Sequence, residues 1–198
     1  MNLPNIITLA RILLVPIFVV VYIWPGDSAY LVAAVLFGLA AATDWLDGYL
    51  ARRLSQTTPF GAFLDPVADK LIVVSALVVL MAEHSTIWLT LPGLIIVGRE
   101  IMISALREWM AEMNSSVTVA VSVLGKVKTT LQMVAIAVLL ALSPESTSAI
   151  VFIGYSLLYV AALMTLWSMS LYLQAAWPTL KQGLETAKGV RASDDGSR

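Results

Sequence analysis

Long apolar runs, separated by short polar or Gly/Pro segments, cover most of this chain. Each run is 19–29 residues long, and an α-helix needs about 20 residues to cross the hydrocarbon core of a bilayer. The breaks include Pro25-Gly26-Asp27, Glu83-His84-Ser85 and Ser143-Pro144-Glu145. The pattern predicts an all-α, polytopic bundle of six transmembrane helices, at 6–24, 29–51, 61–82, 86–109, 118–142 and 147–175.

The composition also favours a membrane protein. Of 198 residues, 59% are hydrophobic and 13% are charged, whereas a soluble domain carries about 25% charged residues. With no cysteine and one histidine, zinc–thiolate sites, thiol nucleophiles and disulfides are excluded. We expect His84 to be an exposed loop residue. The net charge of −1 gives no reason to predict a nucleic-acid partner.

The sequence predicts one membrane domain, 1–177, followed by a polar tail, 178–198, that we expect to be disordered and cytoplasmic. Residues 1–11 lack the basic start and cleavage site of a secretory signal, so we expect them to be retained. The basic residues in or beside the connections lie at alternate ones. They are Arg52 and Arg53 after predicted helix two, Arg107, Lys126 and Lys128 on either side of the connection between helices four and five, and Lys181, Lys188, Arg191 and Arg198 after helix six. Asp27, Glu83 and Glu145 lie in the other three connections, which contain no Lys or Arg. By the positive-inside rule, both termini face the cytoplasm.

Four aspartates interrupt the apolar pattern of predicted helices two and three. A carboxylate near the bilayer centre costs roughly 2.5–3.5 kcal/mol, so four require compensation. Asp44 and Asp47 are three residues apart and Asp65 and Asp69 are four apart, so each pair shares a helix face. In an antiparallel hairpin, Asp44 would lie opposite Asp69, and Asp47 opposite Asp65 nearer the cytoplasm. This arrangement predicts a polar cavity that opens to the cytoplasm.

Carboxylate oxygens without His or Cys favour hard cations such as Mg²⁺ or Mn²⁺, and one or two ions could be held here. Such ions can clamp phosphate oxygens during in-line displacement. Gly48 and Gly61 leave room for a ligand beside the backbone, and Arg52 can hold a phosphate. Alternatively, the carboxylates belong to an ion pathway, the small residues serve packing and Arg52 is an interface anchor.

Eight of these positions form the pattern D-x2-D-G-x2-A-R-x8-G-x3-D-x3-D between Asp44 and Asp69. The pattern resembles the signature of the CDP-alcohol phosphatidyltransferases and departs from it at no position. The resemblance implies a six-helix membrane enzyme, commonly a homodimer, in which an alcohol displaces CMP from a CDP-linked lipid.

The same resemblance implies roles for the signature residues. Asp69 would contribute to the metal site and act as general base. The implied metal ligands are Asp44, Asp47 and Asp65, and the implied contacts with the CDP portion are Gly48, Ala51, Arg52 and Gly61. Three polar residues near the N-terminus are also spaced so that they share one face of an α-helix. We predict that these residues, Asn5, Thr8 and Arg11, cap the nucleotide pocket.

Similarity to one bacterial branch of this family covers most of residues 1–175. The similar segments are 5–11, 43–48, 60–70, 99–112, 125–130 and 165–169. That branch uses CDP-diacylglycerol as donor and sn-glycerol 3-phosphate as acceptor. The similarity therefore implies these substrates and a multi-pass protein of the bacterial inner membrane.

Basic residues on the cytoplasmic half also favour a phosphorylated acceptor, because Arg and Lys bind phosphate well. The best candidates are Arg107 and Lys126, followed by Arg99, which we expect to pair with Glu100 or an aspartate. Arg107 and Lys126 could equally be interface anchors. Two other functions stay open: a sister enzyme with another acceptor, and a divalent-cation transporter that uses the acidic cluster as a transit site.

Overall fold

The structure, a computed structural model, describes residues 3–54, 58–112 and 123–195, with side chains for 5–26, 28–43, 58, 60–61, 63–111, 125 and 127–181. Over these residues the protein is all-α. Its six helices are α1 (Leu3–Tyr22), α2 (Asp27–Leu54), α3 (Pro59–His84), α4 (Ile87–Glu112), α5 (Val123–Leu140) and α6 (Ala149–Asp195). The all-α class and the number of helices predicted from the apolar pattern are confirmed. That all six helices cross the membrane stays a prediction.

Both ends of α3 follow from local side-chain and backbone chemistry. Thr58 is the N-cap, and its Oγ1 accepts a hydrogen bond from the Gly61 N–H at 3.0 Å. Pro59 suits the first helical position because that position needs no N–H donor. At the other end, Ser85 adopts a left-handed conformation (φ 46°) and donates its N–H to Met81 O.

The directions of the later helices follow from contacts between them. Thr86 contacts Tyr155 and Arg99 contacts Ser168, so α4 and α6 keep the same residue offset and run parallel. The end of α5 meets the start of α6, since a Cβ on Gly154 would lie 2.8 Å from Leu139 Cδ2. Helices α5 and α6 are therefore antiparallel.

The main core joins α1, α2, α3, α5 and parts of α4 and α6. Phe18 and Phe37 are fully buried and meet edge to face, with ring centroids 6.3 Å apart. A smaller cluster between α4 and α6 contains Ile103, Met110 and Tyr172. Where the surroundings are lipid, such contacts hold helices together through close packing, because lipid tails are as apolar as the side chains.

Three helices in the described part of the chain are long and apolar enough to cross a membrane. The segments are Asn5–Tyr22, Ile87–Ala111 and Ala149–Lys181, and two shorter apolar segments are Ser28–Thr43 and Val127–Leu140. Large apolar side chains such as Leu13, Phe152 and Leu163 point away from the protein interior. Together these features indicate a membrane protein, because outward apolar side chains of this extent suit lipid.

The last helix is longer than the predicted span 147–175. It continues without a break through Pro178 to Asp195. Half of residues 176–195 are Ala, Leu, Lys, Arg, Gln or Glu, residue types that favour a helix whether or not they favour lipid. The separate prediction of a membrane domain at 1–177 and a disordered tail at 178–198 stays a prediction, because side chains beyond Lys181 lie outside the described residues.

The expectation of an exposed loop position for His84 is wrong. His84 is the final residue of α3 and is only 9% exposed. A 3.3 Å hydrogen bond joins its Nδ1 to Tyr155 Oη on α6. The polar break at 83–85 correctly indicated a helix end, but the tyrosine that covers the ring is 71 residues away in sequence.

Candidate active site

Three polar residues on one face of α1 contact the first half of α3. Each contact is a side-chain hydrogen bond: Asn5 to Thr58 (3.1 Å), Thr8 to Asp65 (2.9 Å) and Arg11 to Asp69 (2.5 Å). The residue numbers rise together along both helices, so α1 and α3 are parallel and begin on the same side. All three α1 side chains are buried although α1 is one of the most apolar segments.

Gly61 lies against α1 with no room for a side chain. A Cβ at this position would be 2.7 Å from Asn5 Oδ1 and 3.2 Å from Thr58 Oγ1. The space that the sequence assigned to a ligand is therefore taken, on this side of the backbone, by the Asn5 amide. Close packing of α1 against the start of α3 is the structural reason for a glycine here.

Replacing Gly61 with alanine should destabilise the protein. The added methyl group must displace Asn5 from its bond with Thr58, and overpacking of this kind costs about 1–3 kcal/mol. The melting temperature in detergent should fall. Gly98→Ala is the matched control, since a Cβ there meets nothing within 4 Å and alanine favours a helix. Equal shifts in the two variants would contradict the packing argument.

A second polar cluster joins α4, α5 and α6. Arg99 Nη1 donates to Glu100 Oε1 at 2.9 Å, and Arg99 Nη2 donates to Ser168 Oγ at 3.2 Å. Lys128 Nζ lies 3.7 Å from the same Glu100 oxygen and is only 3% exposed. The predicted pairing of Arg99 with Glu100 is confirmed. Two cations share one carboxylate, so the cluster carries an excess positive charge.

Several buried atoms around this cluster lack a hydrogen-bond partner within the described parts of the chain. They are Arg99 Nε, Gln132 Oε1 and Thr165 Oγ1. Gln132 lies one turn beyond Lys128 on α5, and Thr165 lies one turn before Ser168 on α6. A buried polar atom without a partner costs about 1–3 kcal/mol, so such atoms suit a place that a polar ligand or water completes.

Asp69 and Arg99 lie at similar depths along their helices. His84 and Thr86 both contact Tyr155 Oη, which provides a common reference point at one end. Asp69 is fifteen residues before His84 and Arg99 is thirteen residues after Thr86. At 1.5 Å per residue, these separations are roughly 22 and 20 Å. Because α3 packs against both α4 and α5, Asp69 and the basic cluster belong to neighbouring helices at a similar level.

Comparison with known proteins places this arrangement in a family. The family described as CDP-alcohol phosphatidyltransferase matches residues 1–169, which contain both polar regions. The chain belongs to the CDP-alcohol phosphatidyltransferase family.

Three curated relatives of this phosphatidyltransferase carry the same name. A Pseudomonas fluorescens protein is 54% identical over 182 residues, covering 91% of this chain and 93% of the relative. A Salmonella paratyphi A protein is 52% identical over 175 residues, covering 88% and 94%. A Shigella flexneri serotype 5b protein is 51% identical over 175 residues, with the same coverage. Each is named CDP-diacylglycerol–glycerol-3-phosphate 3-phosphatidyltransferase.

Five of the eight signature positions lie outside the residues whose side chains the structure of this phosphatidyltransferase describes. They are Asp44, Asp47, Gly48, Ala51 and Arg52, and the same holds for Lys126. The predicted opposition of Asp44 to Asp69 and of Asp47 to Asp65 therefore stays a prediction. Described residues hold no group of three or more His, Cys, Asp or Glu side chains that could bind a metal.

The part of the signature that the structure does describe fits a hard cation. Enzymes of this family generally use a divalent metal. Asp65 and Asp69 are partly buried, lie one helical turn apart on α3 and offer only carboxylate oxygens. Mg²⁺ and Mn²⁺ prefer such ligands. Among the described contacts of this pair, the cation is Arg11, which donates to Asp69, whereas the donor to Asp65 is the Thr8 hydroxyl.

Arg107 differs from the other acceptor candidates of this phosphatidyltransferase. Its side chain is exposed, and the guanidinium carbon lies 5.4 Å from the centre of the Tyr172 ring on α6. This cation–π contact anchors the side chain to α6 one turn beyond Ser168. Arg107 therefore lies about two turns of α4 closer to the helix end than Arg99.

Two residues in the site were missed or given another role by sequence reasoning. Lys128 is absent from the acceptor ligands predicted above, although it is far more buried than Arg107. Arg11 was assigned to the nucleotide pocket, yet its described contact is with Asp69. The sequence signal available for both was a basic residue within an apolar helix, which is unfavourable without a partner.

Proposed function

We propose that this protein transfers the phosphatidyl group of CDP-diacylglycerol to sn-glycerol 3-phosphate and releases phosphatidylglycerol phosphate and CMP. The observation that carries the proposal is identity above 50% with enzymes of this name over about nine-tenths of the chain. That range contains the intact eight-residue signature and also the basic cluster on α4 and α5. The sister enzyme and the cation transporter have no comparable support.

The aspartates of the signature would hold the metal and perform the proton transfer. Asp44, Asp47 and Asp65, with a contribution from Asp69, would bind one or two Mg²⁺ or Mn²⁺ ions. When bound, the metal neutralises the diphosphate and stabilises the departing CMP. Asp69 would accept the proton of the acceptor hydroxyl, whose oxygen attacks the β-phosphorus as the bond to the CMP oxygen breaks.

Residues near the start of α1 and in the α2–α3 hairpin would bind the CDP portion. They are Gly48, Ala51, Arg52, Gly61, Asn5 and Thr8. Asn5 and Thr8 support this role through their contacts with Thr58 and Asp65, because these contacts fix the edge of the site that faces α1. Gly61 would contribute through its backbone, since the position of its absent side chain is filled by Asn5.

Arg99, Arg107 and Lys126 were the predicted ligands of the acceptor phosphate, and the structure favours adding Lys128. Arg99 and Lys128 supply two charges on neighbouring helices, of which Glu100 balances one. A dianionic phosphate would offset the remaining positive charge and accept a hydrogen bond from Arg99 Nε, which has no partner among the residues that the structure describes. The depth shared with Asp69 would bring the acceptor hydroxyl to the proposed base.

The proposed enzyme is a six-span protein of the bacterial inner membrane that acts as a homodimer. The parallel directions of α1 with α3 and of α4 with α6 support alternating spans. The distribution of Lys and Arg supports cytoplasmic termini and a polar cavity that opens to the cytoplasm, from which water-soluble sn-glycerol 3-phosphate would enter and into which CMP would leave.

Purified protein in detergent tests the proposal with CDP-diacylglycerol, Mg²⁺ and a panel of acceptors. We expect CMP release with sn-glycerol 3-phosphate and background release with serine, inositol, inositol phosphate or phosphatidylglycerol. Excess chelator should reduce the rate to background, and Mg²⁺ or Mn²⁺ should restore it. Preferential release with another acceptor would show a sister enzyme, and metal movement into liposomes without CDP-lipid would indicate a transporter.

A further inference from the structure

The proposed chemistry leaves the contact between Arg11 and Asp69 unexplained. Arg11 is 1% exposed and lies within the apolar segment Asn5–Tyr22, where an uncompensated charge is costly. Its Nη1 is 2.5 Å from Asp69 Oδ1, and the Asp69 side chain is 48% exposed. The buried partner is therefore the cation, and the accessible partner is the carboxylate proposed for proton transfer.

Helix α1 donates a hydrogen bond to each of the two aspartates of α3, but the two donors differ in charge. Thr8 donates a neutral hydroxyl to Asp65, whereas Arg11 gives Asp69 a charged donor one turn deeper. A hydroxyl leaves the full negative charge of a metal ligand available. A guanidinium offsets that charge and, being planar and held in a fixed direction, also fixes the orientation of the carboxylate.

We infer that Arg11 is a positioning residue for Asp69, holding Oδ1 of this carboxylate toward α1 and limiting how tightly the aspartates bind a divalent ion. The inference rests on the proposed function. An ion pair through Oδ1 fixes the second oxygen by covalent geometry, which keeps one face of the carboxylate directed at the acceptor. The same positive charge repels a cation bound to the neighbouring aspartates.

The first test measures metal binding without substrate or turnover. Mn²⁺ is titrated into purified protein in detergent, and free Mn²⁺ is followed by electron paramagnetic resonance. Arg11→Met should bind Mn²⁺ at least about tenfold more tightly than the parent, because a nearby positive charge is removed. Unchanged or weaker Mn²⁺ binding by Arg11→Met would overturn the inference.

Lys70→Gln is the matched control for charge. Lys70 follows Asp69 directly, is partly buried and shows no ion pair with it among the described residues. The variant removes the same unit of charge from the neighbouring position without touching the carboxylate. Its Mn²⁺ affinity should stay within about twofold of the parent. Equal shifts for Lys70→Gln and Arg11→Met would show a general charge effect and would also overturn the inference.

The second test separates orientation from charge. Arg11→Lys keeps the positive charge but loses the planar fork, so Mn²⁺ affinity should change less than about threefold. CMP release should nevertheless show a kcat lowered at least fivefold, with the KM for sn-glycerol 3-phosphate within about twofold of the parent. Parental kcat in this variant would overturn the positioning role even if Arg11→Met does not fold. Failure of the proposed function would instead appear as no CMP release by the parent.

Discussion

Asp69→Asn should lower the rate of CMP release by about 10²–10⁴-fold, the range typical of a lost general base. Asparagine has nearly the same shape, and its carbonyl oxygen can still accept the hydrogen bond from Arg11. Its amide cannot take a proton from the acceptor hydroxyl at neutral pH. The rate is measured with saturating CDP-diacylglycerol, sn-glycerol 3-phosphate and Mg²⁺.

The control for this substitution is Glu83→Gln, the same carboxylate-to-amide change at the opposite end of α3. Glu83 is exposed, and fourteen residues separate it from Asp69. We expect parental activity and a parental melting temperature for Glu83→Gln. Asp69→Asn should still fold, with a lower melting temperature because buried Arg11 loses the charge of its described partner. Near-parental turnover by Asp69→Asn would exclude Asp69 as the base and leave it at most a metal ligand.

Lys128→Met should raise the KM for sn-glycerol 3-phosphate by about 10- to 100-fold. A charge-assisted hydrogen bond contributes roughly 1.5–3 kcal/mol, and methionine fills a similar volume without supplying it. The substitution does not strand Glu100, because Arg99 remains bonded to the same carboxylate oxygen. The KM for CDP-diacylglycerol should change little, since the proposed CDP contacts lie on α1, α2 and α3.

Lys181→Met provides the comparison for Lys128→Met. Lys181 is exposed on α6, so this variant loses the same charge away from the polar cluster. Its KM for sn-glycerol 3-phosphate should match that of the parent. If Lys128→Met also keeps a KM within twofold of the parent, Lys128 does not bind the acceptor phosphate and serves only as a partner of Glu100.

Helix number and order were predictable because an apolar run of about 20 residues has few alternatives to a membrane helix. Helix ends were less predictable. The end of α6 was placed at 175 because hydropathy falls there, but helical propensity does not fall with it. His84 was assigned to an exposed loop because no local pattern indicates that Tyr155 covers it.

The site was predictable where neighbours in sequence are neighbours in space. The pairing of Arg99 with Glu100 is of this kind, and it is confirmed. Asp65 and Asp69 share a face of α3 because four residues make about one helical turn. Contacts between helices were not predictable in this way. The partners of Arg11 and Lys128 are 58 and 28 residues distant in sequence, respectively.

The sequence alone determined the all-α membrane fold, the intact signature from Asp44 to Asp69 and the family. Only the tertiary structure decided that Arg11 contacts Asp69 and that Lys128 shares Glu100 with Arg99. The physical reason is the rotation of each helix about its axis. A helix that is apolar on nearly every face can turn any of these faces toward lipid or toward another helix. Hydropathy therefore does not specify which residues face inward. Close packing and buried polar contacts choose the rotation, and they exist only once the helices are assembled.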